Sequence, residues 1–293
     1  MRAWLRRGAA AAAIASDRAD LWPAGVLASL AYLGWLPLLL AIAPPQVGDV
    51  ADLAVTLYSS GSYPANVVAL AAAAVGAFLL LAFLAALGEA AVARAIRPPG
   101  TDAPGAGEAA LAGLSVLMLA TVPVAVAFAW LVLGAVANAP TVYTAPGPDA
   151  TVIPRLAATL VPQLVAVGAA LLAAQALGGR LLRGALAAPS DRLGAALRNG
   201  VRELARSPAR WAGVAAVGWA KDALLVVGSW ALLGVLWGAI ADSIGPGLLT
   251  RPQGLVLLVG FVAIWLILLL VGGALHAFIS AWWLLEEEAG ERR

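Results

Sequence analysis

Cysteine is absent from the 293 residues, and histidine and lysine each occur once, as His276 and Lys221. Without cysteine there is no disulfide framework, no thiolate-held zinc or iron–sulfur cluster and no thiol nucleophile. A single histidine cannot build a histidine metal cluster, and no Ser/His/Asp arrangement or phosphate-cradling glycine-rich loop stands at a workable spacing. The expectation is therefore a protein with no cofactor, no metal and no enzymatic activity of its own. Charge is scarce as well: 12% of residues are charged against 62% hydrophobic, a balance that cannot present an ordinary water-exposed surface. A formal charge of +2 is no nucleic-acid signature here, because the arginines lie between apolar segments rather than on one polar face, so no nucleic-acid partner is expected.

What the chain does have is long apolar runs. Stretches of about 18 or more uncharged residues, enough for a hydrocarbon layer of roughly 30 Å, occur at 22–43, 67–88, 109–137, 156–179, 223–241 and 254–275. This predicts an all-α integral membrane protein of six transmembrane helices, forming one polytopic domain over residues 1–293. The alternating pattern of a membrane β-barrel is missing. Pro37, Pro123 and Pro162 fall inside three of the runs, so kinked helices are predicted.

Arginine sets the orientation, since short cytoplasmic loops carry the basic excess. Arg2, Arg6, Arg7 and Arg18 precede the first run, Arg94 and Arg97 follow the second, and Arg292 and Arg293 end the chain. Richest is the fourth connection, with Arg180, Arg183, Arg192, Arg198, Arg202, Arg206 and Arg210; the three opposite connections hold only Arg155 and Arg251. Both termini are thus expected in the cytoplasm.

Two helices are expected to lie along that cytoplasmic face. The basic, alanine-rich N-terminal stretch is too weakly apolar for the core of a signal peptide and reads as an interfacial helix. Residues 190–207 form the clearer case: Leu193, Leu197, Val201 and Leu204 fall on one face at helical spacing, and Arg198, Arg202 and Arg206 fall opposite. With Arg192 these arginines are candidate contacts for anionic lipid, the apolar face lying in the bilayer interface or on neighbouring helix ends. The acidic end, Glu286, Glu287, Glu288 and Glu291, opposes its own helix dipole, so either it docks against the arginine-rich connection or it stands as a solvated end, exposed ion pairs contributing little.

Leu5-Arg6-Arg7-Gly8 followed by Trp22 and a span, and Leu197-Arg198-Asn199-Gly200 followed by Trp211 and a span, suggest parallel repeats of an amphipathic helix and a hairpin. With six spans, this layout resembles a group of bacterial six-helix membrane proteins that includes the membrane-domain family found beside glycerophosphodiester phosphodiesterases. The resemblance covers most of the chain as a pattern. It implies a bacterial plasma-membrane location and an accessory or transport-related role, and it carries over no functional residue. Glu108-Ala109-Ala110 with Gly113 resembles the loop by which importer permeases grip an ATPase, but the glycine is one position too near and the downstream pattern is missing.

The ionisable groups nearest the hydrocarbon are Glu89, Lys221, Asp222 and His276, all placed by span length near the cytoplasmic boundary, whereas a fifth span starting at Trp211 would put Lys221 near mid-membrane. Solvation by snorkelling is one role for them and a gate or proton-coupled site the other. Lys221 and Asp222, adjacent on a helix, should point about 100° apart and not pair with each other. Gln163 beside Pro162 is a candidate to bond a freed carbonyl or line a cavity, and Gly234 and Gly238 form a GxxxG pair. Two functional classes follow: a transport-associated or lipid-handling permease-like protein, and a non-catalytic scaffold or assembly subunit with a membrane or cytoplasmic partner protein.

Overall fold

The computed structural model describes residues 2–43, 55–97, 104–144, 152–188, 192–243 and 252–291, and these are almost wholly helical. In chain order they form α1 (Arg2–Asp17), a 3-10 turn (Ala19–Leu21), α2 (Trp22–Ser29), a π-helical turn (Leu30–Gly34) and α3 (Leu36–Ile42). There follow α4 (Ala65–Ile96), α5 (Ala106–Thr144), α6 (Val152–Thr159), α7 (Val161–Ala187), α8 (Leu193–Arg206), α9 (Pro208–Ser243) and α10 (Pro252–Glu291). Among the described residues five helical stretches are long and apolar enough to cross a membrane: Ala65–Ile96, Ala106–Asn138, Val161–Ala187, Pro208–Ala241 and Gly254–Ala289. The chain is a multi-pass membrane protein.

The first predicted span does not form one continuous helix. Pro37 has no N–H to return to the carbonyl of residue 33, and the turn before it widens into the π-helical segment Leu30–Gly34. Trp265 of α10 braces the break, its Nε1 donating to the Gly34 carbonyl at 2.9 Å. The fourth predicted span is also displaced, running over Val161–Ala187 rather than 156–179. Pro162 is the cause: it sits in the first turn of α7, where a missing N–H is harmless, and separates α7 from the short α6. Of the three prolines expected to kink a helix, only Pro123 lies within one, joined by Pro140 in α5.

The helices converge at one end and part at the other. Gly25, Gly88 and Gly273 bring α2 into backbone contact with α4 and α10: a Cβ at Gly25 would stand 2.1 Å from the Gly273 carbonyl oxygen, and one at Gly88 would stand 2.5 Å from that of Ala24. Gly179 likewise admits the Trp283 indole. At the opposite end Gly76, Gly168, Gly228, Gly234, Gly238 and Gly260 meet nothing within 4 Å. Among the described residues the GxxxG pair therefore has no packing partner.

The change is sharpest along α4, where every residue over 67–80 is exposed and close packing begins abruptly beyond Leu81. Away from the tight end, contacts among the described residues include two groups. One joins Ala41 of α3, Leu233 and Ile240 of α9 and Phe261 of α10; the other seats Gln163 of α7 against Gly134 of α5.

Every described arginine except Arg155 lies toward the tight end. Here α1 packs on α10 through Ala11 and Ala15, and Trp4 meets Trp282 with ring centroids 4.6 Å apart. Helix α8 presses Leu193 and Leu197 onto α7 and Leu204 onto the core around Trp211, whereas Val201, expected on the same face, is half exposed. Arg192, Arg198, Arg202 and Arg206 face outward. The two suggested repeats share a packing device, Gly8 seating α1 on Trp282 and Gly200 seating α8 on Leu181. They dock on different partners, α1 on α10 and α8 on α7.

Candidate functional site

Glu89 stands on the inner face of α4, about two turns past the point where that helix becomes enclosed. Burial of a carboxylate demands partners, and three residues supply them. Oε1 lies 2.8 Å from His276 Nε2, while Oε2 lies 2.9 Å from an Arg183 terminal nitrogen and accepts from Ser280 Oγ at 3.0 Å. The same Arg183 nitrogen donates to Ser280 Oγ at 2.8 Å. One carboxylate therefore ties α4 to α7 and α10. Arg183 is 3% exposed and its Nε and second terminal nitrogen have no acceptor among the described residues, so the pairing compensates only part of its donor capacity.

Lys221 and Asp222 form a second group between α9 and α7. Contrary to the sequence expectation they pair with each other, Lys221 Nζ lying 2.6 Å from Asp222 Oδ1. The Cβ directions do diverge by about 100°, but the four-carbon lysine stem is long and flexible enough to bring its ammonium round. Gln175 completes the group from α7, donating Nε2 to Asp222 Oδ2. Both charged side chains are mostly enclosed by protein.

The two groups share a level. Gly218, one turn before Lys221, sits beside Gln175 and Ile279, and Ile279 is one turn from His276. From that level outward, α4 runs over 65–88, α10 over 252–275 and α9 over 223–243. At about 1.5 Å per residue these are roughly 32 to 36 Å of helix, close to one hydrocarbon thickness. Gln163 stands apart, about 18 Å along α7 from Gln175; its Oε1 is buried without a hydrogen-bond partner among the described residues.

Toward the tight end lies a further set of ion pairs, of whose members the sequence reading names all but Glu203. Arg180 joins Glu203 of α8 and Glu287 of α10, each at 2.8 Å. Glu286, wholly buried, takes the Nε of both Arg7 from α1 and Arg210 from α9. The Arg180 and Arg210 guanidinium groups also lie over the Trp211 ring, 5.7 and 4.7 Å from its centroid, and Trp211 stacks on Trp283. Docking of the acidic end on the arginine-rich connection is thereby borne out through Glu286 and Glu287. It runs through Arg180 and Arg210, with Arg7 added.

Two arginines act as clips on helix ends. Arg97 donates to the carbonyls of Arg183 and Leu186 at the end of α7, and Arg18 donates to that of Ala95 near the end of α4. Hydrogen bonding from Arg18 holds the exposed Asp20 carboxyl below its usual range.

Glu108-Ala109-Ala110 opens α5 rather than a free loop. Ala109 and Ala110 are buried, and Gly113 packs beside Ala86, Leu182 and Leu186, so this segment is part of the bundle's own interface. Sequence reasoning selected Glu89, Lys221, Asp222 and His276 but missed Arg183, Ser280 and Gln175 as their partners. The available signal was the spacing of Arg180 and Arg183, which share a face of a helix that continues past Gly179.

Comparison with protein-family models, with curated proteins and with solved structures finds no match to this chain.

Proposed function

We propose that this chain is a six-span, non-catalytic protein of the bacterial plasma membrane, with both termini cytoplasmic, and that it acts as a lipid-handling or transport-associated permease-like protein. The sixth crossing is the interrupted path through α2, the π-turn and α3. It supplies about the length of one bilayer core, and helix breaks are tolerated in membranes where other helices satisfy the freed groups, as Trp265 does here. The basic end faces the cytoplasm by the arginine rule.

One observation carries the functional reading. Among the described residues the bundle is closed at its basic end by paired charges, while on the other side α4 exposes every residue over 67–80 and the contacts include one group around Leu233 and Phe261 and another around Gln163 and Gly134. A bundle shut at one face and parted at the other is the arrangement expected of one state of an alternating-access protein, or of a protein that admits acyl chains between its helices. The test is reconstitution into liposomes carrying a fluorescent phospholipid, with leaflet exchange followed by quenching from outside. Exchange faster than in protein-free liposomes, altered by Glu89→Gln, supports the reading; rates equal to empty liposomes defeat the lipid-handling form of it.

A second reading, an assembly subunit, has its own observation in Gly234 and Gly238, where a Cβ would meet nothing within 4 Å among the described residues. Small residues on an open membrane helix admit close approach of another helix. A partner co-purifying in mild detergent and lost on Gly238→Leu separates this reading from the first.

A further inference from the structure

We propose that the groove between α1, the start of α9 and the end of α10 is a binding site for a phosphate group. The cavity measures 490 Å³, and its lining includes Trp4, Arg7, Ala209, Arg210 and Gly213. That volume lies within the range of about 300 to 1,000 Å³ usual for small-ligand sites. Among the described residues no carboxylate lines it. The proposal is independent of the lipid-handling reading.

The electrostatics of this groove are unequal in a specific way. Glu286 lies between Arg7 and Arg210, yet its side chain is 0% exposed, while the two arginine side chains are 24% and 21% exposed. Both arginines meet Glu286 through Nε. The carboxylate therefore fixes their positions from beneath, and of these three groups it is the two cationic ones that reach the cavity. Guanidinium groups engage oxyanions through pairs of N–H donors; Arg7 meets Glu286 through Nε and has its two terminal nitrogens left for such a pair, while Arg210, whose Nη2 is buried, adds chiefly its charge. The first turn of α9, carrying Ala209 and Arg210, adds the positive end of a 36-residue helix.

The site also has a wall for the rest of a ligand. Trp4 is held by its contact with Trp282 and lies over Gly213, where a Cβ would stand 3.3 Å from the indole. A ring braced on both sides gives an apolar surface next to the guanidinium groups. Along α10 the groove lies about 15 Å beyond the level of His276, at the margin between headgroups and cytoplasm. The phosphate can therefore come from an anionic lipid or from a soluble molecule.

The test is titration of the full-length protein in a neutral detergent with inorganic phosphate in one arm and with short-chain phosphatidic acid or phosphatidylcholine in the other, read by calorimetry. Saturable binding of inorganic phosphate assigns a soluble source, whereas binding of phosphatidic acid alone assigns a lipid headgroup. In either case Arg7→Lys, which keeps the charge opposite Glu286 but loses the fork, should weaken binding at least tenfold. Because changes at Arg7 disturb an ion pair, Ala209→Trp is the second variant; it fills the groove without touching Glu286 and should abolish binding. No binding in any arm, or binding unchanged in Ala209→Trp, overturns the proposal.

Discussion

Glu89 on α4 and Arg183 on α7 meet at 2.9 Å with both side chains at or below 9% exposure, joined by His276 and Ser280 from α10. Three helices far apart in sequence are thus fixed to one another through a single carboxylate. Apolar packing in a bilayer gives little preference for one arrangement of helices over another, since lipid tails are as apolar as leucine. Buried charge does give one, because its alternative partners are few and leaving it unpaired is costly.

Removing one member should therefore be worse than removing both. Glu89→Ala leaves Arg183 buried without its carboxylate and is expected to destabilise the bundle by about 3 to 5 kcal/mol. Combining Glu89→Leu with Arg183→Leu should recover most of that loss. Thermal unfolding in detergent checks it, and a double variant no more stable than either single one would refute the pairing.

The glycine contacts predict a sharp positional contrast. Gly88→Leu would drive a side chain into the Ala24 carbonyl and the Ala28 nitrogen, a clash with backbone that no rotamer relieves. A loss of at least about 1 to 3 kcal/mol is expected, the usual range for overpacking. Gly76→Leu on the same helix meets nothing within 4 Å and should leave the melting temperature unchanged. Equal effects at the two sites would mean that α4 is packed along its whole length.

How much of this was legible beforehand follows from the physics of each signal. Length and hydropathy located the continuous helices, because a hydrocarbon layer demands uncharged residues whatever the fold. They misplaced the ends at Pro37 and Pro162, where the missing N–H decides between a kink inside a helix and the start of a new one; local sequence does not distinguish the two. Glu89 and His276 stood out as charges beside apolar runs. Arg183 did not, because it lies among many arginines and its difference from Arg198 is burial, a tertiary property. The Lys221–Asp222 pair failed for a narrower reason: helical angles describe Cβ directions, and a lysine nitrogen is not bound to follow its Cβ.

The exposed face of α8 should respond to lipid charge. Replacing Arg198, Arg202 and Arg206 together by Gln is expected to weaken its hold on anionic bilayers by at most about 1 kcal/mol per charge. In nanodiscs, hydrogen exchange over 193–206 should slow when anionic lipid is added to the native protein and stay constant in the triple variant. Slowing of the same size in both would mean that Leu193, Leu197 and Leu204 alone hold this helix.

The acidic end of α10 yields a prediction that separates neighbouring residues. Glu286 joins Arg7 and Arg210, so it ties α1 and the start of α9 to α10; Glu287 joins Arg180, which also holds Glu203 of α8. Carboxylates at a helix C-terminus are unfavourable by about 0.3 to 1 kcal/mol each, so they persist here only against nearby cations. Glu286→Lys should place like charges together and release α1, speeding hydrogen exchange over 2–17 at least tenfold while leaving 193–206 nearly unaffected. Glu287→Lys should do the reverse, since Arg180 would be pushed from its place between α8 and α10. Adding Arg7→Glu to Glu286→Lys should restore part of the protection of α1, because the pair is then inverted rather than broken. Identical exchange patterns in the two single variants would show that the end of α10 acts as one diffuse patch of charge, and that the individual pairs with Arg7 and Arg180 do not position these helices.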